Sequence, residues 1–191
     1  MADHQKIVRE DNAGAVEENA LLRASIMDLR QRLAEFEQNV DRDQLTALYN
    51  GRRFLAEIER VVASVNRYPI PAALAYVELE GLEAIGRRHG ALAGDAALIH
   101  LGGLLSSLVR STDFVARVGN ETFALVFEHL DHDSAIEAMG RIERCIAASP
   151  AALGNEEAVL EVSIGTAAIL AGDEVQDVLM RADQSLRRAK T

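Results

Sequence analysis

Arg117-Val118-Gly119-Asn120-Glu121-Thr122-Phe123 is a short polar stretch set between two apolar runs. Val115 and Val118 precede it and Phe123-Ala124-Leu125-Val126-Phe127 follows it. The stretch therefore reads as the tip of a β-hairpin, with Gly119 and Asn120 as residues that tolerate positive φ. A glutamate at such a tip, Glu121, is exposed and placed to do chemistry.

The elements on either side assemble around this hairpin. Residues 52–67 predict a helix whose apolar face carries Phe54, Leu55, Ile58, Val61, Val62 and Val65, stopped by Pro69 and Pro71. Residues 45–50 read as a connector before it. Residues 72–79 predict a strand, and its end carries Glu78 and Glu80, which point to the same side because their spacing is two. Two adjacent carboxylates are costly unless a cation or basic group sits between them. Gly86, Gly90 and Gly94 divide the next segment into a short helix over 82–89 and a longer one over 94–109. After the hairpin strands come a helix over 134–148 with Ile136, Met139, Ile142 and Ile146 inward, a strand over 159–169 and a closing helix over 175–189. The order β-α-α-β-β-α-β-α predicts an α+β sandwich, helices flanking a central, mainly antiparallel sheet.

Ahead of this domain, Leu22, Ile26, Leu29, Leu33, Phe36 and Val40 recur at alternating spacings of four and three, which is a heptad seam. With Asn19, Ile26, Leu33 and Val40 at a, and Leu22, Leu29 and Phe36 at d, the seam suits a parallel two-stranded coil. Glu18 facing Arg23 and Arg32 facing Glu37 supply g-to-e′ pairs. Residues 1–42 are thus expected to form a long N-terminal helix that dimerises through residues 15–40; packing of the seam on its own domain is the alternative.

A net charge of −10 opposes a general nucleic-acid or anionic-membrane role, since phosphate binding needs a basic surface. The single cysteine, Cys145, excludes an intrachain disulfide and favours a cytoplasmic location, with the thiol as core filler. No apolar run approaches the roughly 18 residues of a membrane span. His129-x-x-His132 has no cysteine or third histidine nearby and reads as an exposed loop rather than a metal site.

Several spaced motifs carry a family resemblance over residues 43–190. Asp43-Gln-Leu-Thr-Ala-Leu-Tyr-Asn-Gly-Arg52, Gly90-Ala-Leu-Ala-Gly-Asp95, Ala116-Arg-Val-Gly-Asn-Glu-Thr-Phe-Ala124, Val162-Ser-Ile-Gly165 and Arg181-Ala-Asp-Gln-Ser-Leu-Arg-Arg-Ala-Lys190 stand in order along the chain. They resemble the motifs of the GGDEF family, the bacterial diguanylate cyclase domain, and residues 43–191 are identified as a degenerate member of it. The resemblance implies the nucleotide-cyclase-like sandwich and, in active members, condensation of two GTP molecules into cyclic di-GMP across a dimer. Divalent metals there neutralise the phosphates and take hard carboxylate ligands. On the same resemblance, Glu78, Glu80, Asp95, Gly119, Asn120, Glu121 and Lys190 mark a vestigial catalytic site, with Glu78 and Glu121 as the residues that would hold a metal.

Four substitutions set this chain apart from the family pattern. Asn120 replaces a glycine that lets backbone approach phosphate, and Thr122 replaces an acidic residue. Glu83 stands where a lysine is expected near the phosphates, a repulsion of roughly 1 kcal/mol at contact even in high dielectric. Gly86 replaces an asparagine that reads guanine. Catalysis is therefore expected to be lost, with no cofactor; Mg²⁺ enters only if residual nucleotide binding survives.

Arg110-Ser-Thr-Asp113, nine residues before Gly119, has the R-x-x-D form of the family's inhibitory cyclic di-GMP site, and Arg141 falls where another arginine joins it. Arginine grips guanine O6 and N7, and a carboxylate accepts from N1 and N2, so this pair suits guanine. The plain alternative is a helix-end ion pair between Arg110 and Asp113. The expected function is an inactive receptor for cyclic di-GMP, or a module that docks another signalling protein; a ligand-independent coiled-coil scaffold and a residual cyclase are the alternatives.

Overall fold

The computed structural model describes residues 22, 23, 25–27 and 40–190, apart from 155. The chain divides into two units after Asp41. In the first unit the described residues 22, 23 and 25–27 are helical, with Leu22 and Ile26 exposed. Asn19, Leu29, Leu33 and Phe36 of the heptad seam, and the Arg32 and Glu37 pair, lie outside the described residues.

The second unit opens on a turn organised by Asp43. Its Oδ1 accepts from the Thr46 amide at 2.8 Å and hydroxyl at 2.7 Å, and its amide donates to the Leu48 carbonyl at 2.8 Å. The turn delivers β1 (Tyr49–Asn50) and then α1 (Gly51–Arg67), whose first turn is capped by the Asn50 side chain accepting from the Arg53 amide at 3.1 Å. After Pro71 come β2 (Ala72–Leu79), α2 (Leu82–His89), α3 (Ala91–Leu108), β3 (Phe114–Arg117) and β4 (Thr122–Glu128). Then follow α4 (His132–Ala147), β5 (Ala151–Leu153), β6 (Glu156–Ala158), β7 (Val162–Ile169) and α5 (Val175–Ala189).

The main sheet has strand order β1-β3-β4-β2-β7. All its pairs are antiparallel except β1 with β3, so the expected α+β architecture with a mainly antiparallel sheet is the one observed. The side-chain alternation of β2 builds two cores. Ala73, Ala75, Val77 and Leu79 face a cluster with Leu101 and Leu105 of α3 and Met139, Ile142 and Ile146 of α4. Ala72 and Leu74 face the other, with Ile58, Val61 and Val62 of α1 and Val178 and Ala182 of α5. Helices on both faces leave the sheet little apolar surface in water.

Four local expectations are corrected. Residues 49–50 are an edge strand rather than a connector, because two residues carry no readable period. The strand expected from residue 159 starts at Val162, and the residues before it form the separate β5–β6 hairpin, too short to betray alternation. Leu55 and Ile136 are exposed, at 49% and 48%, because each lies at the margin of its helix's buried stripe. Gly119 and Asn120 do not take positive φ. The register Arg117↔Phe123 leaves a five-residue connection, which needs no primed two-residue turn.

One close approach positions the end of the chain. A Cβ on Gly165 of β7 would lie 2.1 Å from the Leu186 amide nitrogen, so α5 rests on bare strand backbone there. Gly165 is opposite Tyr76 and Ser163 is opposite Glu78. The last turn of α5 therefore reaches the end of β2 that carries the two glutamates.

Candidate functional site

At that end of β2 the carboxylates meet a cation. Lys190, the C-cap of α5, donates from Nζ to Glu78 Oε1, and its Nζ lies 4.0 Å from Glu80 Oε1. The basic group that the Glu78/Glu80 spacing calls for is thus Lys190. Hydrogen bonding to Glu78 raises the Lys190 pKa above its ordinary value, with burial opposing and Glu80 and Glu121 assisting. Glu121 joins the cluster from the turn, its carbonyl accepting from the Leu79 amide at 2.9 Å. Burial raises the Glu121 pKa, the Glu78 and Glu80 charges add to this, and Lys190 partly offsets it.

The turn itself is braced from the start of the domain. Arg117 reaches both oxygens of Asp43 at 3.3 Å and donates to the Asn120 carbonyl at 2.6 Å. Burial opposes the Asp43 charge, but the Thr46 hydrogen bonds and the Arg117 guanidinium outweigh it and hold the carboxyl below its usual range. Thr122 leans over Gly119, where a Cβ would sit 3.2 Å from Thr122 Oγ1. Asn120 is exposed.

The other residues matched to the family's nucleotide site lie on α2 and α3. Glu83 is exposed on α2 and pairs with Arg87 at 2.8 Å, one turn along the same helix. Gly86 has open space around it, and Asp95 is exposed on α3. Among the described residues no three His, Cys, Asp or Glu side chains come together to hold a metal ion. Lys190 is seated on Glu78, one of the two residues expected to hold a metal.

The R-x-x-D segment is the turn between α3 and β3. Asp113 Oδ2 accepts from the Arg110 amide at 2.9 Å, and the Asp113 amide donates to the Arg110 carbonyl at 3.0 Å. The contact is carboxylate to backbone, not the side-chain ion pair that was the alternative, so the turn holds Asp113 while the Arg110 guanidinium is left to the surface. Arg110, Asp113 and Arg141 line one cleft of about 620 Å³ between this turn and α4, with Leu108, Phe127 and Leu130 as apolar wall. Arg144 lines it too. It escaped the sequence reading, although its spacing of three from Arg141 puts both on one helix face. Among the described residues Arg110, Arg141 and Arg144 make no ion pair. His132 is apart from this cleft chemistry, its Nε2 lying 3.2 Å from Thr166 Oγ1.

The family model described as "Diguanylate cyclase, GGDEF domain" matches residues 40–191. This chain belongs to the GGDEF family. It is 31% identical over 148 residues to diguanylate cyclase DgcP of Pseudomonas aeruginosa, covering 78% of this chain and 22% of that relative. The chain spans half the length or less of the curated relatives it matches. The GGDEF domain of FimX from Pseudomonas aeruginosa superposes with a TM-score of 0.74 at 28% identity, over 78% of this chain and 93% of that one. The coiled coil and GGDEF domain of DgcB from Caulobacter crescentus, a complex with c-di-GMP, gives 0.82 at 22% identity, over 87% and 89%. That last likeness concerns the fold alone. The GGDEF fold here carries two separable groupings: a cluster of three carboxylates answered by Lys190, and a cleft lined by Arg110, Arg141 and Arg144 together with Asp113 and Glu137.

Proposed function

We propose that this GGDEF domain binds cyclic di-GMP in the Arg110/Asp113/Arg141 cleft and does not condense GTP, acting as a receptor within cyclic di-GMP signalling. The observation that carries the reading is the convergence of these three side chains on one cleft with both sides of the guanine chemistry available. Arg110 donates to guanine O6 and N7, while the second Asp113 oxygen accepts from N1 and N2. Arg141 supplies positive charge for the diester phosphates.

Loss of turnover follows from the opposite grouping. Phosphoryl-transfer catalysis is mostly positioning and charge stabilisation. Here Glu83 would repel phosphate, Gly86 offers no base-reading group, and Lys190 is engaged by Glu78. Calorimetric titration with cyclic di-GMP, beside a GTP-turnover assay with Mg²⁺ or Mn²⁺, tests both halves. Binding without product supports the reading; product formation that is abolished by Glu121→Ala refutes it.

A further inference from the structure

The helix that forms one side of the arginine cleft has a glycine in its interior, Gly140 of α4. A helix-interior glycine lowers stability relative to alanine, and packing gives no reason for it here. A Cβ at this position meets one atom within 4 Å, Arg144 Nη1 at 3.7 Å, which is ordinary contact with the end of a flexible side chain. Contrast Gly165, where backbone blocks any side chain. What Gly140 does border is the cleft.

Arg144 follows Gly140 by one turn and lays its guanidinium back along the helix over the bare position. Arg141 stands beside it at a spacing of three, so two like charges share one face. Glu137 shares the lining but forms no ion pair with either arginine. Two guanidinium groups that make no ion pair among the described residues, over an open floor, are poised for an anion, and like charges so placed are relieved when one binds.

We infer that Gly140 is the floor of the ligand pocket and that Arg144 is a second phosphate-binding arginine beside Arg141. The cleft then offers one guanine-reading pair, Arg110 and Asp113, and one two-arginine cradle for a diester phosphate. This rests on the receptor reading of the same cleft. A leucine at position 140 fills the floor and pushes the Arg144 head away, while restoring a good helix former.

The test is calorimetric titration of the full chain with cyclic di-GMP, with melting temperature read in parallel. Wild type is compared with Gly140→Ala, Gly140→Leu and Arg144→Gln. The inference predicts that Gly140→Ala melts higher than wild type and Gly140→Leu melts no lower, yet Gly140→Leu binds at least about tenfold more weakly. Arg144→Gln also loses about tenfold, with a shallower salt dependence than wild type. If wild type binds and both Gly140→Leu and Arg144→Gln bind equally well, the inference is overturned and the receptor reading stands. If wild type does not bind, both fall. Should Gly140→Leu fail to fold, unchanged affinity in Arg144→Gln is sufficient to overturn the inference.

Discussion

Lys190 donates a hydrogen bond to Glu78, tying the end of the last helix to the end of the central strand beside the signature turn. One ammonium thus answers Glu78 directly and Glu80 at 4.0 Å. Lys190→Met should lower stability at neutral pH by about 1 kcal/mol, the scale of a partly exposed pair, with a smaller loss in high salt. Because the Lys190 pKa is raised by Glu78, its contribution is complete at neutral pH and fades only as pH rises through that raised value. Urea unfolding at low and high salt measures the difference. Equal stability of variant and wild type at low salt would show that the pair contributes nothing.

Glu121 supplies a prediction of opposite sign. Burial and the Glu78 charge raise its pKa, so the folded state binds the proton more readily than the unfolded chain does. At neutral pH the ionised carboxylate therefore opposes folding, and this opposition is relieved as pH falls through the raised pKa. Glu121→Gln should melt above wild type at pH 7, and the gap should close in mild acid. Melting curves between pH 4 and 7, a window spanning the ordinary carboxylate range of about 4, decide it; a variant less stable than wild type at pH 7 contradicts the electrostatic account.

The sandwich was legible in the sequence because its long elements carry clear periods. Phe54, Ile58, Val61, Val62 and Val65 alone announce α1, and all are buried. The short pieces were not. β1 pairs with β3, distant in sequence, and the strands of the β5–β6 hairpin are only three residues each, too short to show a period, so nothing within two or three residues announces them. A motif in a family frame singles out Arg110, Asp113 and Arg141, whereas Arg144 and Gly140 join them only once the helix face is assembled around a cleft. The Lys190 to Glu78 contact spans 112 residues, and only the strand order that puts β7 beside β2 brings them together.

Gly165 is the position where the fold least tolerates a side chain. Gly165→Ala forces a methyl group into the backbone of α5 at Leu186, and overpacking of this kind costs about 1 to 3 kcal/mol or more. The displaced helix end should also weaken the Lys190 contact. Denaturant unfolding checks the first effect; a variant of wild-type stability would show that α5 is not seated on β7 as described.

The brace between Arg117 and Asp43 predicts an acid limb. Asp43 has a depressed pKa, so its contribution is complete above the ordinary carboxylate value and is lost as pH falls through the depressed one. Arg117→Ala leaves the half-buried Asp43 without its guanidinium and should cost about 1 to 3 kcal/mol at neutral pH. The penalty should shrink toward pH 3, where the wild-type pair is itself failing. A penalty independent of pH assigns the loss to packing instead.

The arginine cleft is proposed as a cyclic di-GMP site in a domain without turnover. Its most direct test is calorimetric titration of cyclic di-GMP into wild type and Arg110→Ala. Saturable binding by wild type, weakened at least about fivefold in Arg110→Ala, is the predicted result, since a bidentate arginine to guanine contact contributes about 1 to 3 kcal/mol. Absence of wild-type binding at tens of micromolar, about −6 kcal/mol on the affinity scale, or binding indifferent to Arg110→Ala, contradicts the claim.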